Sequence, residues 1–216
     1  MIPNQKRILR FNNLYTGLEN GTISNINRCL EPNEKYHFIK YLLGENIIVL
    51  HGTNINVNQL LPNSEKENGT FLFAIDNLVA AVCNSMRKIL FHDFGYIHND
   101  MIRGGEYQVS NGDKITQSYS YVSVNKEISS ISIPPAIVYL CSKRSFIIAK
   151  NDKPGRLNRV SGGLVKTGTN WVSGKPVKPL AKLNFHFKDF PCGAAWHTTE
   201  ETILSTMVNF KQRRVK

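Results

Sequence analysis

Four groups of residues have the types and spacing to do chemistry. His51-Gly52-Thr53 follows the run Ile47-Ile48-Val49-Leu50, whose β-branched residues favour a buried strand. Such a strand holds an imidazole at its carboxyl end, beside a residue with no side chain. A histidine there is either satisfied structurally or set to bond a ligand, and the glycine permits close backbone approach. His92, Asp93, His98, Asp100 and Glu106 include carboxylates of the kind that hard divalent ions prefer. They lack HxxxH or paired-acid spacing, so a polar loop accounts for them and no metal site is expected. Cys192 and His197 offer a thiol and a base, although Pro191 and Gly193 equally mark a turn. Ser161-Gly162-Gly163 offers backbone amides to a phosphate, but without P-loop spacing a glycine-rich turn is the simpler reading.

Charge adds a fifth feature. The chain carries 27 Lys+Arg and 16 Asp+Glu, a net +11. Residues 1–142 are balanced, with 12 of each sign, whereas 143–216 hold 15 basic and 4 acidic residues. Within 143–188 the single acid, Asp152, stands among Lys143, Arg144, Lys150, Lys153, Arg156, Arg159, Lys166, Lys175, Lys178, Lys182 and Lys188. Soluble surfaces ordinarily mix signs, and a segregated positive field concentrates anions. Trp171 and Phe146 lie among these cations, and single-strand grooves combine cations with stacking aromatics. The segment therefore suits a nucleic acid, DNA or RNA, with Lys143, Arg144, Arg156, Arg159 and Trp171 as its contacts. No helix-turn-helix, finger or RNP pattern accompanies it.

Elements must position these groups. At 41% hydrophobic and 20% charged, the 216 residues have a globular composition and suffice for one sizeable core. Residues 1–32 read as an irregular arm, because Asn12, Asn13, Gly17, Asn20 and Gly21 interrupt every apolar run. A helix follows Pro32 and ends at Gly44. Gly69–Phe73 reads as a second short strand, and Asp76 or Asn77 caps a helix over 78–91. Strands flank Asn111-Gly112-Asp113 as a hairpin. Ala136–Leu140 and Phe146–Ala149 are strands around a basic turn, and Leu183–Phe187 alternates as a half-buried strand does. Residues 151–180 read as a long loop or loose ribbon. Thr198-Thr199-Glu200-Glu201 has the form of a capping box for a last helix to about Phe210, before a basic tail at 211–216.

The stretch Ile47–Ala81 resembles the opening of the ADP-ribosyltransferase superfamily, in the branch with diphtheria-type toxins, poly-ADP-ribose polymerases and rifampicin-modifying transferases. A strand ending in His-Gly-Thr/Ser there precedes a second strand with an aromatic residue and a helix with small residues. The resemblance implies that NAD is a substrate, with His51 bonding a ribose hydroxyl. It also implies that the Gly52 backbone holds the nicotinamide carboxamide, Thr53 completes the motif, and Phe73 stands where the family has a stacked tyrosine. It implies a late catalytic glutamate, for which Glu200 is the first candidate by order, with Glu201 next and Glu127, at a strand edge, in reserve. Glu201 is also explained as the partner of Thr198 in the capping box, and Glu200 by the helix dipole.

The expectation is a single α+β domain over 1–216, with two small antiparallel sheets meeting at an angle, a few flanking helices and a cleft where Thr53 meets Phe73. Two functions are carried forward: mono-ADP-ribosylation of a macromolecule, whether nucleic acid or acidic protein, and noncatalytic nucleic-acid binding by 143–188. No leader or membrane span is expected. Four dispersed cysteines with no CxxC pair suit reduced thiols in the cytoplasm. Oligomeric state is left open.

Overall fold

The strand that carries His51, β1 (Ile48–Thr53), lies in the middle of a sheet, and every neighbouring element bears on its position. The computed structural model describes residues 5–66, 69–95, 101–111, 114–128, 131–150, 157–160, 163–166, 168–191 and 195–198. In chain order come α1 (Gln5–Glu19), α2 (Pro32–Gly44), β1, β2 (Ser64–Lys66), β3 (Gly69–Ile75) and α3 (Leu78–Phe94). Then follow β4 (Ile102–Asn111), β5 (Lys114–Asn125), β6 (Ala136–Ser142), β7 (Ile147–Ile148), β8 (Leu157–Val160), β9 (Gly163–Lys166), β10 (Asn170–Ser173), β11 (Ala181–Phe185) and β12 (Ala195–His197). The fold is α+β, with two open sheets. One has seven strands in the order β11-β6-β1-β3-β10-β7, with β2 on β3, all antiparallel. The other has five in the order β12-β5-β4-β9-β8, where only β12 runs parallel to its neighbour.

Helix α3 packs against both sheets, which explains why apolar residues surround most of it: Leu78, Val79, Val82, Met86, Ile89 and Leu90 are all buried. Asn77 starts it by accepting the Ala80 N–H at 3.0 Å, and Gly95 ends it at φ 71°, a left-handed conformation that glycine adopts without a Cβ penalty. Strand alternation then divides the core. Ile48 and Leu50 of β1, with Val138 and Leu140 of β6, join α3 and the N-terminal helices on one face. Val49, Tyr139 and Cys141 face the other way, with Leu72, Ala74, Phe146 and Trp171.

Two expectations are overturned here. The irregular arm expected over 1–32 is helical at Gln5–Glu19: α1 is fifteen residues long and packs Phe11, Leu14, Tyr15 and Leu18 against the core. That spacing is one helical stripe, and the asparagines that suggested breaks lie off it. Asn12 accepts the Tyr41 hydroxyl at 2.7 Å, and Phe11 meets Phe38 edge to face at 5.3 Å between ring centres. Of the long loop or loose ribbon expected over 151–180, the ribbon is present among the described residues, as the antiparallel pair β8–β9, and the loop reading fails at β10. Strand β10 is inserted between β3 and β7. Of Ser161-Gly162-Gly163, Gly163 opposes Val160 at the start of β9, and Ser161 and Gly162 lie outside the described residues. The strands flanking Gly112 and Asp113 pair antiparallel as expected, with Asn111 opposite Lys114, and those two residues lie outside the described ones. The last helix expected over 198–210 and the tail at 211–216 fall almost wholly outside the described residues. Among the described residues no helix is long and apolar enough to cross a membrane.

Candidate active site

Strand β1 is fixed firmly on one side and loosely on the other. Six of its residues are in register with β6, which sets His51 opposite Tyr139. Toward β3 the register is a single pair, Leu50 opposite Ile75. Beyond that pair the two strands part, and a cavity of about 370 Å³ opens, lined by His51, Gly52 and Phe73 among others. Its size lies near the lower end of small-molecule sites. Pleat alternation groups His51 with Val49 and Phe73 with Ile75, on opposite faces of the sheet. Both nevertheless border the cavity, because the imidazole reaches across the opening to the Phe73 backbone.

That contact defines the histidine's chemistry. His51 Nδ1 lies 2.6 Å from the Phe73 carbonyl oxygen. A carbonyl only accepts, so Nδ1 carries the proton and donates. Burial pushes the imidazole pKa down to about 4; the Phe73 bond opposes this and the nearby Lys88 charge adds to it. At neutral pH the ring is uncharged, and Nε2 bears a lone pair. The fixed tautomer makes His51 an oriented acceptor for a hydroxyl or amide donor.

Gly52 is required for a reason that sequence did not reveal. A Cβ at this position would stand 1.9 Å from the Ala81 carbonyl oxygen of α3, because helix and strand approach backbone to backbone. Its own carbonyl accepts from Lys88 Nζ at 3.1 Å. Helix packing accounts for the glycine, whatever binds beside it. Thr53 does not line the cavity. It is buried, its hydroxyl accepts the Ile55 N–H at 3.3 Å, and its carbonyl accepts the Ser85 hydroxyl at 2.6 Å.

The remaining expected residues are dispersed. Glu200 and Glu201 lie outside the described residues. Glu127 sits exposed in a 3-10 turn (Lys126–Ile128) after β5, not on a strand edge. Trp171 is no stacking platform: it is 8% exposed within the second core, and Lys143 Nζ covers its ring 4.0 Å from the centre. Phe146 is buried beside it. Lys143 also donates to the Asn46 side chain. Arg144 is exposed, Arg156 lies outside the described residues, and Arg159 belongs to β8, its side chain undescribed. His197, weighed as a base for Cys192, is buried with Nδ1 2.8 Å from the Ser123 hydroxyl. Glu106 pairs with Lys40, so it does not join His92 and Asp93 at the end of α3.

Among the cavity residues that escaped the sequence reading are Asn84, Arg87 and Lys88 of α3. Their i, i+3, i+4 spacing on a helix otherwise apolar was the available signal. No protein-family model, curated protein or solved structure matches this chain.

Proposed function

We propose that the protein is an NAD-dependent mono-ADP-ribosyltransferase acting on a macromolecule in a reducing compartment. The observation that carries this reading is the neutral, tautomer-fixed His51 in a cavity it shares with Phe73. An oriented acceptor of that kind suits a ribose hydroxyl. The free thiols of Cys29, Cys83 and Cys141 suit the compartment.

In the proposed reaction the bond between the ribose C1′ and the nicotinamide nitrogen breaks, and its electron pair leaves with nicotinamide. The sugar passes through an oxocarbenium-like state. A nucleophilic oxygen or nitrogen of the acceptor then bonds to C1′ and loses its proton to solvent or a base. Holding the sugar still contributes more to such a reaction than strong basicity does, and a base with its pKa near 4 is the wrong group for proton abstraction at neutral pH. His51 is therefore a binding and orienting residue. The carboxylate that stabilises the cationic sugar is assigned to Glu200, with Glu201 as the alternative. Among the described residues no acid lines the cavity.

The test is nicotinamide release from NAD by the purified protein, with and without cell extract as a source of acceptor. His51→Ala is expected to lower release by about a hundredfold, the order of loss for misplacing a reacting group, with its thermal unfolding otherwise cooperative. Release at the native rate by folded His51→Ala protein would overturn the assignment.

A further inference from the structure

The cavity holds two cations that its described walls do nothing to neutralise. Lys88 reaches in from α3, half-buried, with Nζ on the Gly52 carbonyl. Arg87 borders the same space. Its Nε and Nη2 donate to the Ile102 carbonyl at 3.1 and 2.8 Å, and Nη1 lies 3.5 Å from the Asn84 side-chain oxygen. These bonds anchor the guanidinium to β4 and leave donors of its fork unspent, since the group carries five. Among the described residues, ion pairs form at Arg10–Glu34, Lys35–Asp189 and Lys40–Glu106. Arg10, Lys35 and Lys40 thus have carboxylates, and the two at the cavity have carbonyls.

A partly desolvated ammonium bonded only to a carbonyl lacks the counter-charge that ordinarily offsets burial. Burial accordingly pushes the Lys88 pKa below the usual lysine value. An anion entering the cavity reverses that effect and meets a planar fork and a point charge together, the pair of donors that phosphate groups favour. Asn63, Ser64 and Asn170 also line the cavity, so its polar wall extends beyond the cations.

We propose that Arg87 and Lys88 form a diphosphate-binding subsite in this cavity, taking the diphosphate of an ADP-containing ligand. Identifying that ligand as NAD rests on the function proposed above; the anion site itself does not. His51 then stands on the β1 side of the bound molecule and the cations on the α3 side, so that one end of a dinucleotide is oriented by hydrogen bonding and its centre by charge.

Calorimetric titration with ADP-ribose, inorganic pyrophosphate and adenosine tests the proposal, in the native protein and in Lys88→Gln and Asn84→Asp. Asn84 is exposed on α3, so its replacement brings a negative charge to the cavity without disturbing the core. Each substitution is expected to weaken ADP-ribose about ten- to a hundredfold, the equivalent of one charge-assisted hydrogen bond. Adenosine binds far more weakly than ADP-ribose and is unaffected by either change. Equal affinity for adenosine and ADP-ribose, or ADP-ribose binding unchanged in Asn84→Asp, overturns the subsite. The two readings separate cleanly. Pyrophosphate binding that depends on Lys88, without NAD turnover, keeps the subsite and removes the transferase. NAD turnover with an unaltered KM in both variants keeps the transferase and removes the subsite.

Discussion

The cavity beside β1 and the basic segment at 143–188 hold positive charge in opposite ways. The segment has eleven cations and one acid, yet the one whose environment is best defined, Lys143, is spent on structure. Its ammonium covers Trp171 and bonds Asn46. Except for Asn170, the cavity is lined from the part of the chain that is neutral overall, and its cations among the described residues are Arg87 and Lys88. Those two stand at a concave polar surface beside a histidine of fixed tautomer, with no described acid to neutralise them. A count of charges measures the long-range field, which governs encounter. Recognition depends on where desolvated charge lacks a partner, and two residues can supply it.

Replacing glycine in each region should separate the two most strongly. Gly52→Ala brings a Cβ to 1.9 Å from the Ala81 carbonyl, a backbone atom of a helix wedged between two sheets. Relief requires α3 to move, at a cost of about 3 kcal/mol or more. Gly174, in the basic segment, has nothing closer than Phe71 at 4.0 Å from the same added atom. Gly174→Ala is expected within about 1 kcal/mol of the native protein, since the alanine also restricts the unfolded chain. Urea unfolding measures both. Equal effects would mean that β1 and α3 are not held as tightly as this contact requires.

A smaller difference should come from protons. The folded pKa of His51 is about 4, below the unfolded value near 6.5. Between those values the unfolded chain binds the extra proton, so stability rises with pH across this window and falls as pH drops through it. The loss from pH 7 to 4 is on the order of 2–3 kcal/mol for a shift of this size. His51→Gln should remove that part of the slope. Subtracting the two stability curves isolates it from titrating carboxylates, and parallel curves would place the imidazole in solvent rather than under β3.

The elements that position the cavity were legible because local pattern and tertiary context agree there. The β-branched run made β1, Pro32 opened α2, and Asn77 capped α3 as its sequence suggests. The α1 helix was hidden because its breakers, Asn12, Asn13 and Gly17, interrupt the sequence but not the stripe of Phe11, Leu14 and Leu18. Strand β10 was hidden for another reason: it is four residues long and is ordered by β3 and β7 on either side. At the site, His51 and Phe73 were readable as types, but their meeting through a backbone carbonyl was not. The packing role of Gly52 was unreadable for the same reason, since no local pattern announces that Ala81 will lie against it. Trp171 among lysines suggested a stacking surface; β-pairing to Ala74 instead turns it into the second core.

The smallest expected effect concerns the basic segment's own hypothesis. If residues 143–188 bind nucleic acid, each phosphate neutralised contributes about 0.9 to the dependence of log affinity on log salt for duplex DNA. Replacing Lys143, Arg144, Arg156 and Arg159 together would then lower the slope by about 3.6 if all four touched phosphate. Lys143 is committed to Trp171 and Asn46, so the expected change is no more than about 2.7, the share of the other three. Single Lys143→Ala should leave the slope unaltered and cost about 1 kcal/mol of stability, the scale of a partly desolvated cation–π contact. With Trp171 and Phe146 buried, the two aromatics read as stacking groups in this segment give no advantage to single strands over duplex. Fluorescence anisotropy with labelled single- and double-stranded DNA across a salt series measures each of these. A slope that drops by a full phosphate in Lys143→Ala would return that lysine to the binding surface. A marked preference for single strands would require an exposed aromatic that the described residues of this segment do not supply.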